Sequence, residues 1–179
     1  MENFEFYSPT KVIFGKDAEL QVGAEIASRG YKKVLVHFGG TYLKETGELD
    51  RIHKSLTDAG LTFVDLGGVV PNPRLSLAKE GVELCKREGV DFILGVGGGS
   101  AIDSSKAIAY GLANDFLLED LFLGKVRTTK TAPVGCITTI AATGSETSNS
   151  TVVTLETREQ GVLKPVSYTH LTLPTKLEV

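Results

Sequence analysis

The chain has 179 residues, with 19 basic and 22 acidic side chains, a formal charge of −3 and 41% hydrophobic residues. That length suits one ordinary domain with a substantial core, and basic residues scattered this evenly exclude a nucleic-acid or membrane-surface face. No apolar run approaches the ~18 to 20 residues that span a bilayer, and MENFEFYSPT has neither a basic leader nor an apolar signal core, so a cytoplasmic protein without membrane contact is expected.

In chain order, FYSPTKVIFG (6–15) reads as a hairpin, followed by a helix in which Ala18, Val22 and Ile26 recur every fourth residue and which Gly30 is placed to end. Four short runs rich in β-branched or aromatic residues then read as buried parallel strands: VLVHF (34–38), TFVDL (62–66), FILGV (92–96) and APVGCIT (132–138). Helical spacing fills the intervals. Leu49, Ile52, Leu56 and Ala59 form one apolar stripe, Ala78, Val82 and Cys85 a second, and Ala101, Ser105, Ile108 and Leu112 a third. Strand then helix, repeated about every 30 residues, is the pattern of an α/β fold wound by right-handed crossovers. Such sheets take ligands beyond the carboxyl ends of their strands. Three loops are expected at that edge: FGGTYLKETG, GGVVPNPR and GGGSAID.

Cys85 and Cys136 lie far apart in apolar segments and read as buried free thiols. The three histidines, His37, His53 and His170, make no local metal-ligand spacing.

The stretch FILGVGGGSAIDSSK (92–106) runs a strand through three glycines into a helix. Ser100 is expected to cap that helix, with Asp103 completing a capping-box-like pair. Small residues here would let backbone N–H groups at a helix N-terminus face a diphosphate; a tight turn without a ligand would look the same. Gly95, Gly97 and Ser100 fill the places of G-x-G-x-x-G, so the third glycine is missing, and Lys106 lacks the surroundings of a P-loop lysine. A second polar group follows the fourth strand: Thr138, Thr139, Thr143, Ser145, Thr147, Ser148, Asn149 and Ser150. Hydroxyls of this kind serve as loop and cap residues or as neutral hydrogen-bonding partners of a ligand.

GGGSAIDSSKAIA, the upstream PNPR and TTIAATGSE together resemble, in order and spacing, the N-terminal half of the iron-containing (group III) alcohol dehydrogenases, in particular their butanol-dehydrogenase-like branch. The resemblance runs from residue 3 to about 164. It implies a dehydroquinate-synthase-like, Rossmann-like NAD(P)-binding domain, a parallel sheet with flanking helices over residues 1–165, without the helical metal-binding domain whose aspartate and histidines hold Fe(II) or another divalent metal in that family. No catalytic residue and no metal ligand of this chain follows from it. It places Gly97, Gly98, Gly99 and Ser100 at the pyrophosphate, with Asp103 bracing that loop, and Gly39, Gly40 and Thr41 at the adenine ribose. Asn72 is placed near the adenosine side, with Thr139 and Thr143 on the cofactor and Thr138 and Lys164 as weaker matches. It further implies a full-length enzyme that interconverts alcohols with aldehydes or ketones by hydride transfer and forms a homodimer.

The first strand ends FGGT with no acid before Glu45, whereas a carboxylate there would bind the 2′-hydroxyl of NAD and repel the 2′-phosphate of NADP. NADP(H) is therefore expected to be tolerated and to be favoured over NAD(H). VSYTHLTLPTKLEV (166–179) departs from the resemblance and reads as a foreign, adapter-like tail, although its composition also suits a strand. The 179 residues alone are accordingly expected to show little or no dehydrogenase activity. Two other readings stay open: a dehydroquinate-synthase-like or glycerol-dehydrogenase-like relative, and a nucleotide-binding module without catalysis.

Overall fold

A computed structural model describes residues 10–142 and 144–156, with the backbone alone of 163–169 and 177–178. The four expected strands form as β1 (Lys33–Gly39), β2 (Thr62–Val69), β3 (Phe92–Gly97) and β4 (Val134–Thr138), and the chain continues through β5 (Ser150–Glu156), β6 (Leu163–Thr169) and β7 (Leu177–Glu178). The main sheet is parallel, in the order β2-β1-β3-β4-β7, while β5 and β6 pair antiparallel as a separate ribbon.

Side-chain alternation along the central strands explains the two covered faces. Val34, Val36 and Phe38 of β1 join Phe92, Leu94 and Val96 of β3 in one core, against α1 (Val22–Ala27) and α3 (Glu48–Asp58). Leu35 and Ile93 point to the other face, where α4 (Leu75–Glu88) and α5 (Gly99–Ala113) bring Ala78, Val82, Ala107 and Ile108. Each fully buried leucine, isoleucine or phenylalanine of these cores contributes about 1.5 to 3 kcal/mol relative to exposure. α5 is buried almost all round, from Ala101 to Gly111, because α4, β3 and β5 all pack on it.

Several boundaries differ from the sequence expectation. Ala18–Gln21 is a 3-10 turn leading into α1, and Gly30, at φ +87°, ends the segment as expected. β2 runs on through Gly67 and Gly68 to Val69, where a loop was expected, because Gly39 approaches the Val69 carbonyl so closely that a Cβ would lie 2.7 Å from its oxygen. Two short helices, α2 (Tyr42–Glu45) and α6 (Leu118–Phe122), had no periodic signal long enough to be read. β5 begins inside the expected hydroxyl-rich loop and lies beside PNPR, with Thr154 N–H donating to the Pro73 carbonyl at 2.7 Å. The expected hairpin over 6–15 falls mostly outside the described residues. In the stretch 166–179, the backbone of Val166 is paired with Val153 and that of Leu177 with Ile137.

Candidate functional site

Order 2-1-3-4 reverses direction between β1 and β3, which creates a crevice at their carboxyl ends. The glycine loop fills one side of it. Gly97 has φ +138°, a conformation that side chains rarely adopt, and a Cβ there would lie 3.1 Å from that of Ala101. Gly98, extended at φ −82° and ψ −172°, is the N-cap, so α5 starts at Gly99. Its carbonyl accepts from Ala101 N–H at 3.0 Å and Ile102 N–H at 3.3 Å. The N–H groups of Gly99 and Ser100 lie in the first turn, where a helix offers no internal partner, and they stand at its positive end.

This corrects the capping expectation. Ser100 is inside the helix and makes no cap hydrogen bond, because the chain enters α5 two residues earlier through glycines without side chains. Asp103 instead meets the segment that follows β4. Its carboxylate accepts from Ser145 Oγ at 2.5 Å and its carbonyl from Thr151 Oγ1 at 2.7 Å, so it braces the 144–151 segment. Burial pushes its pKa above the ordinary carboxylate value, opposed by the Ser145 bond, the Lys106 charge and the Val152 N–H.

Two cavities share the α5 N-terminus. The first, about 370 Å³, is bounded by Gly39, Gly40, Pro71, Gly97, Gly98 and Thr139, together with Gly99 and Ser100. The second, about 400 Å³, is bounded by Asn72, Asp103, Ser145, Ser148 and Thr154, again with Gly99 and Ser100. Both volumes suit part of a small-molecule ligand. Asn72, held at φ +58°, lines the second cavity with Asp103 and Ser145, and the adjoining Pro71 lines the first with Gly39 and Gly40. Thr41 is the N-cap of α2, next to the first cavity. Thr139 N–H donates to the Gly97 carbonyl at 3.2 Å and ties β4 to the glycine loop. Thr138, 4% exposed, keeps a buried Oγ1 without a hydrogen-bond partner among the described residues. Thr143 and the Lys164 side chain lie outside the described residues, and the Lys164 backbone pairs with Leu155.

A nicotinamide dinucleotide fits these residues at its diphosphate, since the glycine cradle leaves open space where a Gly98 Cβ would stand. Iron does not: among the described residues no three His, Cys, Asp or Glu side chains converge for a metal ion.

Two site residues escaped the sequence reading. Lys106, fully buried, donates from Nζ to the Ser145 carbonyl at 2.5 Å, Ser145 Oγ at 2.8 Å, the Ser150 carbonyl at 2.7 Å and the Ser148 carbonyl at 3.1 Å. Burial draws its pKa below the ordinary lysine value, with the nearby Asp103 carboxylate opposing that shift. Its signal was a lone cation among small and apolar residues in SSKAIAYG. His37 lies beneath the crevice, with Nδ1 2.8 Å from the Leu66 carbonyl and Nε2 2.8 Å from Ser104 Oγ. A carbonyl can only accept, so Nδ1 carries the proton and Nε2 accepts from Ser104. Burial lowers the His37 pKa to about 4, so the ring is neutral at pH 7. Both cysteines are buried free thiols.

The sequence profile of the family "Iron-containing alcohol dehydrogenase" matches residues 9–174. A probable NADH-dependent butanol dehydrogenase of Bacillus subtilis is 44% identical over 163 residues, 90% of this chain and 42% of that protein. An NADPH-dependent aldehyde reductase of Escherichia coli is 33% identical over 160 residues, 88% of this chain and 40% of its own length. The crystal structure of NADH-dependent butanol dehydrogenase A from Thermotoga maritima superposes with a TM-score of 0.92 at 39% identity, over 99% of this chain and 44% of that one. The chain therefore spans about two-fifths of the length of these curated relatives. No helix among the described residues is long and apolar enough to cross a membrane. The glycine loop, the parallel sheet beneath it and the profile match agree: this chain belongs to the iron-containing alcohol dehydrogenase family.

Proposed function

We propose that the chain is the NAD(P)-binding part of an alcohol dehydrogenase that interconverts a small primary alcohol with its aldehyde by hydride transfer. The observation that carries this reading is the open start of α5, where the free N–H groups of Gly99 and Ser100 face a crevice at the β1/β3 reversal. The diphosphate rests on Gly97–Ser100, the adenine ribose against Gly39, Gly40 and Thr41, and the rest of the dinucleotide meets Thr138, Thr139 and Thr143, with Asn72, Asp103 and Lys164 around it. The metal that the family name implies has no ligand set among the described residues.

Cofactor choice turns on the β1 loop. Among the described residues no carboxylate lines the first cavity, and the Lys44 ammonium sits 5.6 Å from the Phe38 ring centre, one turn beyond Gly40. NADPH is accordingly accepted and favoured, although relatives of both kinds are similar to this chain. The full-length enzyme is a cytoplasmic homodimer in this reading. Residues 166–179 form a foreign tail on a domain spanning 1–165, and long-read sequencing of the source DNA past codon 164 tests that division. The family profile, which extends to residue 174, is the observation that opposes it.

Fluorescence titration of the 179-residue chain with NADH and NADPH tests the central reading. Saturable binding of both, with NADPH at least as tight, and no turnover of butanol or butyraldehyde with added Fe(II), is the expected result. Absence of binding to either dinucleotide removes the reading, and NADH binding much tighter than NADPH binding removes the cofactor choice alone.

A further inference from the structure

We propose that Lys106 is a positioning residue of the cofactor crevice: its buried ammonium fixes the 144–150 loop, the wall that faces the α5 N-terminus across the second cavity. This rests on the dinucleotide reading above. The segment 144–149 holds one 3-10 turn before β5 begins at Ser150, and three carbonyls, those of Ser145, Ser148 and Ser150, turn toward the Lys106 ammonium. Inward carbonyls need donors. A lysine supplies three N–H groups from a single atom, and here they meet four acceptors on three loop residues. Ser145 Oγ, held by Nζ at 2.8 Å, donates its own O–H to Asp103 at 2.5 Å, so the same ammonium also sets the carboxylate that lines the cavity.

The stem enters from α5, whose first residues form the other wall. One helix therefore carries the diphosphate-facing N–H groups and, two turns later, the anchor that holds the opposite wall at a set distance from them. A buried cation is costly, and an apolar side chain would fill the same volume at lower cost. An apolar replacement would take the ammonium donor from the three carbonyls, leaving that of Ser145 only the Ser148 N–H, and let the loop drift.

The test compares the wild-type chain with Lys106→Met in two measurements made where both are folded by circular dichroism. Backbone amide exchange over 144–152 without ligand should rise roughly ten- to a hundred-fold in the variant, with Val34–Phe38 and Phe92–Val96 unchanged. NADH should bind about tenfold more weakly, with a smaller fluorescence enhancement. Faster exchange with unchanged NADH affinity makes Lys106 merely structural and overturns the proposal, as does unchanged exchange. A wild-type chain that binds neither dinucleotide sinks the reading on which the proposal rests, which is a separate result. If Lys106→Met does not fold, Ser145→Ala gives the same decision: exchange and affinity should both move several-fold, and no movement in either overturns the proposal.

Discussion

The two walls of the crevice are built in opposite ways. The glycine wall is specified locally: Gly97 turns, Gly98 caps, and α5 begins within two residues of the end of β3. The hydroxyl wall, 144–150, has one 3-10 turn and the first residue of β5 as its regular structure and is held from outside by Lys106 and Asp103, some forty residues earlier in the chain. A wall made of backbone donors depends on what side chains are absent, and one made of loop carbonyls depends on a single buried cation. Substitutions should therefore damage them differently.

The largest effect concerns the ground under the glycine wall. His37, clamped between Leu66 and Ser104, has a folded pKa of about 4 against an ordinary 6.5. Because the unfolded chain takes up the proton that the folded chain refuses, stability is full above pH 6.5 and falls as pH drops through this window. About 3 kcal/mol is lost by pH 4. Urea melts at pH 7 and pH 4 should reveal that loss, and His37→Gln should remove most of the difference; an identical slope in the variant contradicts the clamp.

Next in size is Gly97→Ala, which combines φ +138° with a Cβ 3.1 Å from that of Ala101. A loss of about 1 to 3 kcal/mol is expected in thermal melts, together with weaker dinucleotide binding. Gly98→Ala sharpens the contrast, since its φ of −82° is ordinary and nothing lies within 4 Å of the added methyl. Stability should change by less than about 0.5 kcal/mol while NADH affinity falls about tenfold, because the methyl fills the open space that the proposed diphosphate would enter. Equal affinity would mean that no ligand approaches there. Smallest of all is Thr138→Val, which replaces a buried hydroxyl lacking a partner among the described residues and should leave stability within about 0.5 kcal/mol of wild type. A marked destabilisation would show that the hydroxyl has a partner in the folded chain.

What the sequence made legible follows the same division. The parallel strands and the helices α3, α4 and α5 were readable because their apolar residues repeat at the period of the element. The glycine loop was visible for the same local reason, yet its cap was placed on Ser100, because side-chain preference does not register that glycines permit an earlier start. Lys106 was set aside for lacking a phosphate motif, since nothing in a short window shows that its stem threads a helix buried all round. Asn72 is placed near the adenosine side by the resemblance alone, and the pairing of Thr154 with PNPR brings it into the cavity of Asp103. Contacts between distant segments carry these parts, and periodicity cannot report them.

The most direct test of the glycine wall as a diphosphate site is a titration of the isotope-labelled 179-residue chain with NADPH, followed by backbone amide resonances. The account predicts saturable shifts that are largest at Gly97, Gly98, Gly99 and Ser100, with smaller ones at Gly39 and Gly40. Saturable binding whose largest shifts lie elsewhere, or spectra unchanged at millimolar NADPH, would contradict it.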